Sequence, residues 1–327
     1  MELDTIDRGL LSVVQVQFPL VRQPYHELGR QFGVNEAEVI RRIDDLKQRG
    51  IIRQISPVID GRRLGYRPTL VAMRVSETER DRAEELIRQH PGVSHGYERD
   101  HYFNIWFTLA VAREVNTETE LAQLTSAIQP EAVFELPAVK VFKIGAYFEM
   151  DGDGHEKAGT VPSAIGPLAG EIELSRQDRL IIRELQEDLP LVPQPFAGMA
   201  ARSALDEEYF LGQCQSFLQR DIIRRYAAAV NHRKAGFTAN AMVCWVATSE
   251  LVDAAGQKLA ELREVSHCYE RKTNPLWRYN LFAMMHGHTN EACCEMADRL
   301  SEATGLTERT VLFSTREFKK TRVKYLA

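Results

Sequence analysis

Apolar residues at the start of the chain recur with the three-to-four-residue spacing of helices. The ranges with this pattern are residues 4–17, 24–32 and 36–49. Pro24 suits a first helical turn, Gly33 and Gly50 suit C-terminal caps, and Asn35 suits an N-terminal cap. Three helices of this length, followed by an apolar segment over 51–58, are typical of a helix-turn-helix unit with a wing strand.

After this unit the pattern changes to strands that alternate with helices. The predicted strands are 69–75, 92–99, 102–111 and 139–148, and helices over 78–89 and 117–128 separate them. The order βαββαβ is typical of a ferredoxin-like domain. The second half repeats it, with strands near 238–248, 265–271, 278–287 and 310–325. The predicted fold class is therefore α+β, a tandem duplication of a winged helix-turn-helix plus a ferredoxin-like domain.

The two halves also match residue by residue. The sequence Pro19-Leu20-Val21-x-Gln23-Pro24 recurs in register from Pro190, and Val93-Ser94-His95-x-Tyr97-Glu98-Arg99 recurs from Val265. The predicted divisions are a helix-turn-helix over 1–62, a ferredoxin-like domain over 63–150, a linker over 151–170, a second helix-turn-helix over 171–233 and a second ferredoxin-like domain over 234–327. Five glycines and two prolines favour a flexible linker over 151–170.

Composition describes an ordinary globular chain. Of 327 residues, 44% are hydrophobic and 27% charged, and the net charge is -5, so no overall field favours nucleic acid or an anionic membrane. Neither a membrane-spanning run nor a secretory signal is apparent. The five cysteines are odd in number and lack a paired C-x-x-C spacing, which favours reduced thiols, a cytoplasmic location and no zinc site.

Helix-turn-helix units raise the possibility of DNA binding. Glu27-Leu28-Gly29-Arg30 and the stretch 46–52 resemble the signature of the Lrp/AsnC transcription regulators. Residues 25–50 hold five acids and five bases, whereas the matching window 196–221 holds four acids and two bases. Since phosphate contacts supply most DNA affinity, the second unit is better suited to packing or interaction, and a DNA-binding regulator is kept as an alternative.

Polar and aromatic residues concentrate in the middle strands of both ferredoxin-like domains. His95, Tyr97 and Arg99 alternate along one strand and therefore share a face, as do His267, Tyr269 and Arg271 in the second half. Such residue types suit a large, flat, anionic ligand, because rings stack, arginines clasp carboxylates and histidine ligates a metal held in the ring. A single aromatic residue of this kind more often belongs to a core, but two copies of Ser-His-x-Tyr-Glu-Arg favour function.

Longer stretches resemble the sirohaem decarboxylases. Residues 92–108, with the sequence GVSHGYERDHYFNIWFT, are similar to one subunit type of that family. Residues 232–243, 265–271 and 277–287 are similar to the other type. These subunits are usually separate chains, and here both are fused, as in proteins of haem d1 biosynthesis.

The resemblance implies loss of carbon dioxide from the C12 and C18 acetate side chains of sirohaem, which gives didecarboxysirohaem. It also implies an active site between two related halves that pair face to face through their sheets, with a homodimer as a further possibility. No organic cofactor or resident metal is expected, because the iron belongs to the tetrapyrrole substrate. A non-catalytic tetrapyrrole-binding sensor is a further alternative.

Candidate site residues follow from the residue types in these strands together with the resemblance. The catalytic candidates are His267 and His101, for iron ligation or proton transfer, then His95, with Tyr97 and Tyr269. The substrate-binding candidates are Arg99, Arg233, Arg271, Arg278, Asn104, Trp106, Trp277, Tyr279, Asn280 and His286. Because His101 aligns near Trp277 and Phe237 replaces Tyr66, the halves differ, and we expect two unequal cavities.

Overall fold

The structure is a computed structural model of the chain and describes residues 3–145, 170–231, 239–262 and 264–326. The predicted linker, apart from Gly170, lies outside these residues, as do Arg233 and Phe237. Within the described ranges, every helix is too short or too polar to cross a membrane.

The two halves contain the same elements in the same order. The first half comprises α1 (Thr5–Val14), α2 (Pro24–Phe32), α3 (Glu36–Gln48), β1 (Ile52–Ile59), β2 (Tyr66–Arg74), α4 (Arg80–Gln89), β3 (Val93–Arg99), β4 (Ile105–Ala112), α5 (Thr117–Ile128) and β5 (Ala132–Ile144). The second comprises α6 (Arg176–Leu185), α7 (Pro195–Arg202), α8 (Glu207–Gln219), β6 (Ile223–Val230), β7 (Ala239–Trp245), α9 (Val252–Glu261), β8 (Val265–Arg271), β9 (Leu281–Gly287), α10 (Asn290–Thr304) and β10 (Arg309–Lys320). The predicted α+β duplication is confirmed.

Local sequence signals set the helix ends. Pro24 occupies the first turn of α2, and Gly33 ends that helix with a left-handed φ of 68°. The side chain of Asn35 accepts a hydrogen bond of 2.9 Å from the Glu38 amide at the start of α3. Helix α1 ends at Val14, before the predicted boundary, because the chain turns there toward α2.

The two helix-turn-helix units share one hydrophobic core rather than standing apart. Buried side chains from α1–α3 and α6–α8 form a single cluster that includes Leu10, Ile43, Phe196 and Phe217. The predicted wing strand is β1, and it pairs antiparallel with β6 of the other half. This two-stranded sheet therefore joins the halves.

The ferredoxin-like domains close into one barrel. Each forms a four-stranded sheet, in the orders β3-β4-β2-β5 and β8-β9-β7-β10. The edge strands then pair across the halves, β5 with β8 and β10 with β3, and the eight strands make a closed barrel. Face-to-face pairing alone was therefore an incomplete prediction: the inner faces oppose each other, and the edges are hydrogen-bonded as well.

Strand β5 is longer than predicted because it serves both sheets. It starts at Ala132, where the sequence predicts a start at 139. Its first part pairs with β2 as far as Pro137, and from Ala138 it pairs with β8. A proline inside a strand usually indicates an interruption, and here it marks the change of neighbour.

Candidate active site

A cavity of about 430 Å³ lies inside the barrel, beneath the β1–β6 sheet. Volumes of roughly 300–1,000 Å³ are usual for cofactor and ligand sites. The described residues of the barrel interior and of the β1–β6 sheet both line it, so the helix-turn-helix layer covers the barrel like a roof.

Both copies of the His-x-Tyr-x-Arg motif line this one cavity. His95, Tyr97 and Arg99 reach it from β3, and His267, Tyr269 and Arg271 reach it from β8. The expectation of two unequal cavities is therefore wrong for the described residues. Because each motif strand is an edge strand of its own sheet and the edges pair across the halves, closure of the barrel brings both copies to a shared interior.

The two histidines are held alike. Ser94 Oγ lies 2.8 Å from His95 Nδ1, and Ser266 Oγ lies 2.9 Å from His267 Nδ1. Burial lowers the pKa of His95 to about 4 and that of His267 to about 3. Neighbouring positive charges act in the same direction, Lys320 on His95 and Arg225 on His267. Both imidazoles are therefore neutral at pH 7.

A third histidine extends the arrangement in the second half only. His286 Nε2 lies 2.8 Å from Ser266 Oγ, so that His286, Ser266 and His267 form a hydrogen-bonded chain. In the first half Ser94 Oγ lies 2.7 Å from Thr108 Oγ1 instead. The alignment that matches Asn104 with Asn280 makes Ala110 the equivalent of His286.

The motif arginines, Arg99 buried and Arg271 half-buried, have no carboxylate partners among the described residues. Arg99 Nη1 donates to the Leu312 carbonyl at 3.0 Å, and Arg271 Nη1 donates to the Leu136 carbonyl at 2.8 Å. The Nε atoms of both have no hydrogen-bond partner within the described structure. Burial lowers each pKa to about 10, so both guanidinium groups keep their charge at pH 7.

The cavity is also lined by three cationic residues that the sequence did not predict. They are Arg225 of β6, Lys320 at the end of β10 and Arg322 just after it. With Arg99 and Arg271 they make five cationic residues, and no aspartate or glutamate is found among the described lining residues. A chain of net charge -5 thus encloses a strongly positive interior.

Several predicted residues lie outside the cavity lining, in an aromatic cluster at the far end of the barrel. The Trp277 ring lies 5.1 Å from Trp106, 5.4 Å from His101 and 5.1 Å from Tyr279, measured between centroids. Of this group only Trp106 reaches the cavity. His101 Nδ1 accepts the Phe103 amide at 3.1 Å, and burial lowers the pKa of the imidazole. These rings therefore pack against one another, and His101, Trp277 and Tyr279 do not reach the cavity.

Three other residues that were predicted to contact the ligand bond the backbone or lie at the surface instead. Asn104 bonds both the amide and the carbonyl of Val75, and Asn280 does the same with Ala247. Arg278 is 70% exposed in its side chain and forms an ion pair with Glu308. None of these three predicted residues belongs to the cavity lining.

Among the residues that the structure describes, no group of three or more metal-ligating side chains is assembled. The cavity instead offers single imidazoles, His95 and His267, beside apolar walls such as Met242 and Phe282. A neutral imidazole is a suitable axial ligand for an iron held in a macrocycle.

Fold and cavity define a ligand-binding barrel made from two copies of one domain. A family model described as "AsnC-like ligand binding domain" matches residues 63–143 and 234–319. The model "Siroheme decarboxylase NirDL-like HTH domain" matches residues 7–53 and 178–224. The helix-turn-helix units therefore do not favour a DNA-binding regulator.

Relatives match over nearly the whole chain. The "Siroheme decarboxylase" of Hydrogenobacter thermophilus is 36% identical over 322 residues, covering 97% of this chain and 94% of that protein. The "Siroheme decarboxylase beta subunit" of Methanosarcina barkeri is 40% identical over 46% of this chain and 99% of its own. A crystal structure of "the siroheme decarboxylase NirDL in co-complex with iron-uroporphyrin III analogue" aligns with a TM-score of 0.72 and 32% identity, covering 99% and 95% of the two chains. The chain belongs to the sirohaem decarboxylase family, in the form that fuses two related halves.

Proposed function

We propose that this chain is a carboxy-lyase that removes carbon dioxide from the C12 and C18 acetates of sirohaem and gives didecarboxysirohaem for haem d1 or an alternative haem pathway. The observation that carries the proposal is the cavity itself: five cations, two tyrosines and three histidines of both halves face one interior without a carboxylate among the described lining residues. Such a lining suits a flat macrocycle with many carboxylates.

The buried arginines supply binding. Arg99 and Arg271 each have an Nε donor without a partner in the described structure, and an unpaired buried donor is costly until a ligand satisfies it. Their guanidinium groups lie 5.3 and 4.7 Å from the rings of Tyr97 and Tyr269, which fixes their orientation. Substrate carboxylates that reach these groups replace water by charge-assisted hydrogen bonds.

The reaction needs an acceptor for electrons and a source of one proton. Breaking the bond between the acetate methylene and its carboxylate releases carbon dioxide and leaves an electron pair on the methylene carbon. The conjugated ring delocalises that pair until a proton arrives and the side chain becomes a methyl group. A positioned acid contributes roughly 10²–10⁴ to such a step.

His267 is the proposed proton donor. Its pKa is low in the ligand-free cavity, and nearby substrate carboxylates raise the pKa because they favour the imidazolium form. The hydrogen-bonded chain through Ser266 to His286 gives His267 a route by which a used proton is replaced. Tyr269, whose pKa is raised by burial, stays protonated and donates a hydrogen bond.

His95 is the proposed ligand of the substrate iron, because Ser94 bonds Thr108 rather than a second histidine, so His95 lacks the proton route that His267 has. No organic cofactor is proposed, since electron delocalisation belongs to the substrate ring. The pairing of the two halves already completes the cavity; a homodimer and a cytoplasmic location stay predictions.

Anaerobic incubation with sirohaem, followed by mass spectrometry, tests the proposal. We expect the tetrapyrrole to lose about 44 mass units twice, once for each acetate. Tight binding with a shifted Soret band and unchanged mass would establish the sensor alternative instead. Specific operator binding at physiological salt, again with unchanged mass, would establish the regulator.

A further inference from the structure

Two arginines at the roof of the cavity have no acidic hydrogen-bond partner among the residues that the structure describes. Arg225 projects from β6 and lines the cavity, and its side chain makes no hydrogen bond or ion pair within the described ranges. Arg322 donates hydrogen bonds from Nη1 to the Ser56 carbonyl and from Nη2 to the Ala227 carbonyl, the second with a length of 3.1 Å. Ser56 and Ala227 are opposite each other in the β1–β6 ladder, so the sheet holds both arginines at one place.

The two guanidinium groups carry the same charge and repel each other. Burial, together with the charge of Arg225, lowers the pKa of Arg322 to about 10, and Tyr226 and Asp188 oppose this shift to a smaller extent. Burial and the adjacent Arg224 lower the pKa of Arg225. Two like charges in a buried site are unfavourable, yet the folded chain holds both at the roof of the positive cavity.

This charge is present on one side of the pseudo-twofold only. The repeat matches Ile52-Arg53 with Ile223-Arg224, which places Gln54 at the position equivalent to Arg225. In the barrel, Lys320 stands opposite His95 where Ile144 stands opposite His267, so Ile144 is the counterpart of Lys320. The same alignment, continued along the sequence, makes Ala146 the counterpart of Arg322, and Ala146 lies outside the described residues.

We propose that Arg225 and Arg322, supported by Lys320, form an anion subsite that binds carboxylate side chains of the tetrapyrrole and thereby fixes which way round the macrocycle lies. The inference rests on the proposed function for the identity of the ligand. Arg99 and Arg271 are matched across the two halves and do not distinguish one orientation from the other. The roof arginines do, because the equivalent positions carry no charge.

The subsite predicts opposite effects on binding and on stability. In Arg225→Gln, the residue of the equivalent position replaces the cation. We expect the dissociation constant for sirohaem to rise roughly 10-fold or more, as for loss of a charge-assisted hydrogen bond. The melting temperature of the ligand-free protein is expected to stay the same or rise, because a repulsive charge is removed. A merely structural arginine would lower it.

Arg225→Lys and Arg278→Gln serve as controls. The lysine keeps the charge and is expected to retain most of the affinity, which shows that a loss in Arg225→Gln is electrostatic. Arg278 is exposed and lies outside the cavity, so its variant is expected to bind sirohaem like the unaltered chain. Unchanged binding by both Arg225→Gln and Arg322→Gln, measured by Soret titration, would overturn the subsite.

Exchange of the charge between halves tests the orientation. The double variant Gln54→Arg with Arg225→Gln moves the guanidinium to the other side of the roof. Singly decarboxylated intermediates, separated and assigned by NMR, are expected to shift at least several-fold from one acetate isomer toward the other. An isomer ratio equal to that of the unaltered chain would overturn the orienting role. If the unaltered chain binds sirohaem without loss of mass, the proposed function fails, while the titrations still decide the subsite.

Discussion

At the scale of single residues, the cavity is organised by neutral histidines held near arginines, Arg99 and Arg271, that have no carboxylate partner among the described residues. His95 and His267 each bond the serine that precedes them and each stack on the tyrosine two residues later, with ring centroids 6.4 and 6.3 Å apart. They differ in the second hydrogen-bond partner of that serine, which is a threonine beside His95 and a histidine beside His267. That difference makes two otherwise matched sites chemically distinct.

The low histidine pKa values predict a loss of stability on acidification. Because the folded values of about 4 and 3 lie below the ordinary 6.5, the unfolded chain binds more protons as the pH falls from about 6.5 toward 4. We expect each histidine to lower the free energy of unfolding by roughly 1 kcal/mol between pH 8 and pH 5. The effect is smaller than the pKa shifts alone would give, because side chains that line a cavity retain some contact with solvent. Denaturant titrations of the ligand-free protein between pH 8 and 5 measure this, and a His95→Gln/His267→Gln variant with an equal slope would contradict it.

Loss of His286 is expected to slow proton delivery rather than binding. In His286→Ala the chain from Ser266 to His267 is broken, and we expect kcat to fall roughly 10–100-fold with little change in KM. His288→Ala is the matched control, because His288 is exposed and close by in the sequence. A His286 variant with full kcat, or with a raised KM alone, would show that the chain has no part in catalysis.

The sequence predicted the motif residues of the site because each is repeated. Comparison of the halves emphasises matched positions such as His95 and His267 and passes over unmatched ones. Arg225 and Arg322 have uncharged counterparts, so neither the repeat nor a motif marks them. His101 and Trp277 were taken together with the predicted third strands, but they lie in the turns before β4 and β9, where their rings contact each other outside the cavity lining.

At the scale of elements, the seams between the halves determine the site. Each seam joins an edge strand of one domain to an edge strand of the other, and each carries one motif histidine: His95 opposite Lys320, and His267 opposite Ile144. The order of the strands along the chain was predictable from the alternating apolar pattern. The pairing of edges was not, because hydrogen bonds between distant strands leave no local mark in the sequence.

Gly96 tests the importance of the β3–β10 seam. A Cβ at this position would overlap the ring of Phe318, so we expect Gly96→Val to destabilise the protein by roughly 1–3 kcal/mol through overpacking. Gly212 in α8 has open space around it, and Gly212→Ala is expected to stabilise by about 0.5–1 kcal/mol. Urea unfolding measures both, and equal effects of the two variants would refute the seam argument.

At the scale of the whole molecule, duplication has produced one compartment from two halves. Several kinds of contact unite the halves, among them the shared helical core, the β1–β6 sheet, the two barrel seams and the aromatic cluster around Trp277. The equivalence of the halves is then broken by substitution inside the cavity, with four of its five described cations in the second half. A pseudo-symmetric container with an asymmetric lining suits an asymmetric macrocycle.

The stoichiometry of tetrapyrrole binding tests this account most directly. Anaerobic titration of the chain with sirohaem, followed by Soret absorbance and calorimetry, counts the bound macrocycles. Because both motif copies face the same cavity, we predict one sirohaem per chain, and loss of that single site when Arg99 and Arg271 are both replaced by glutamine. Two independent sites per chain, each abolished by only one of the two substitutions, would contradict the shared cavity.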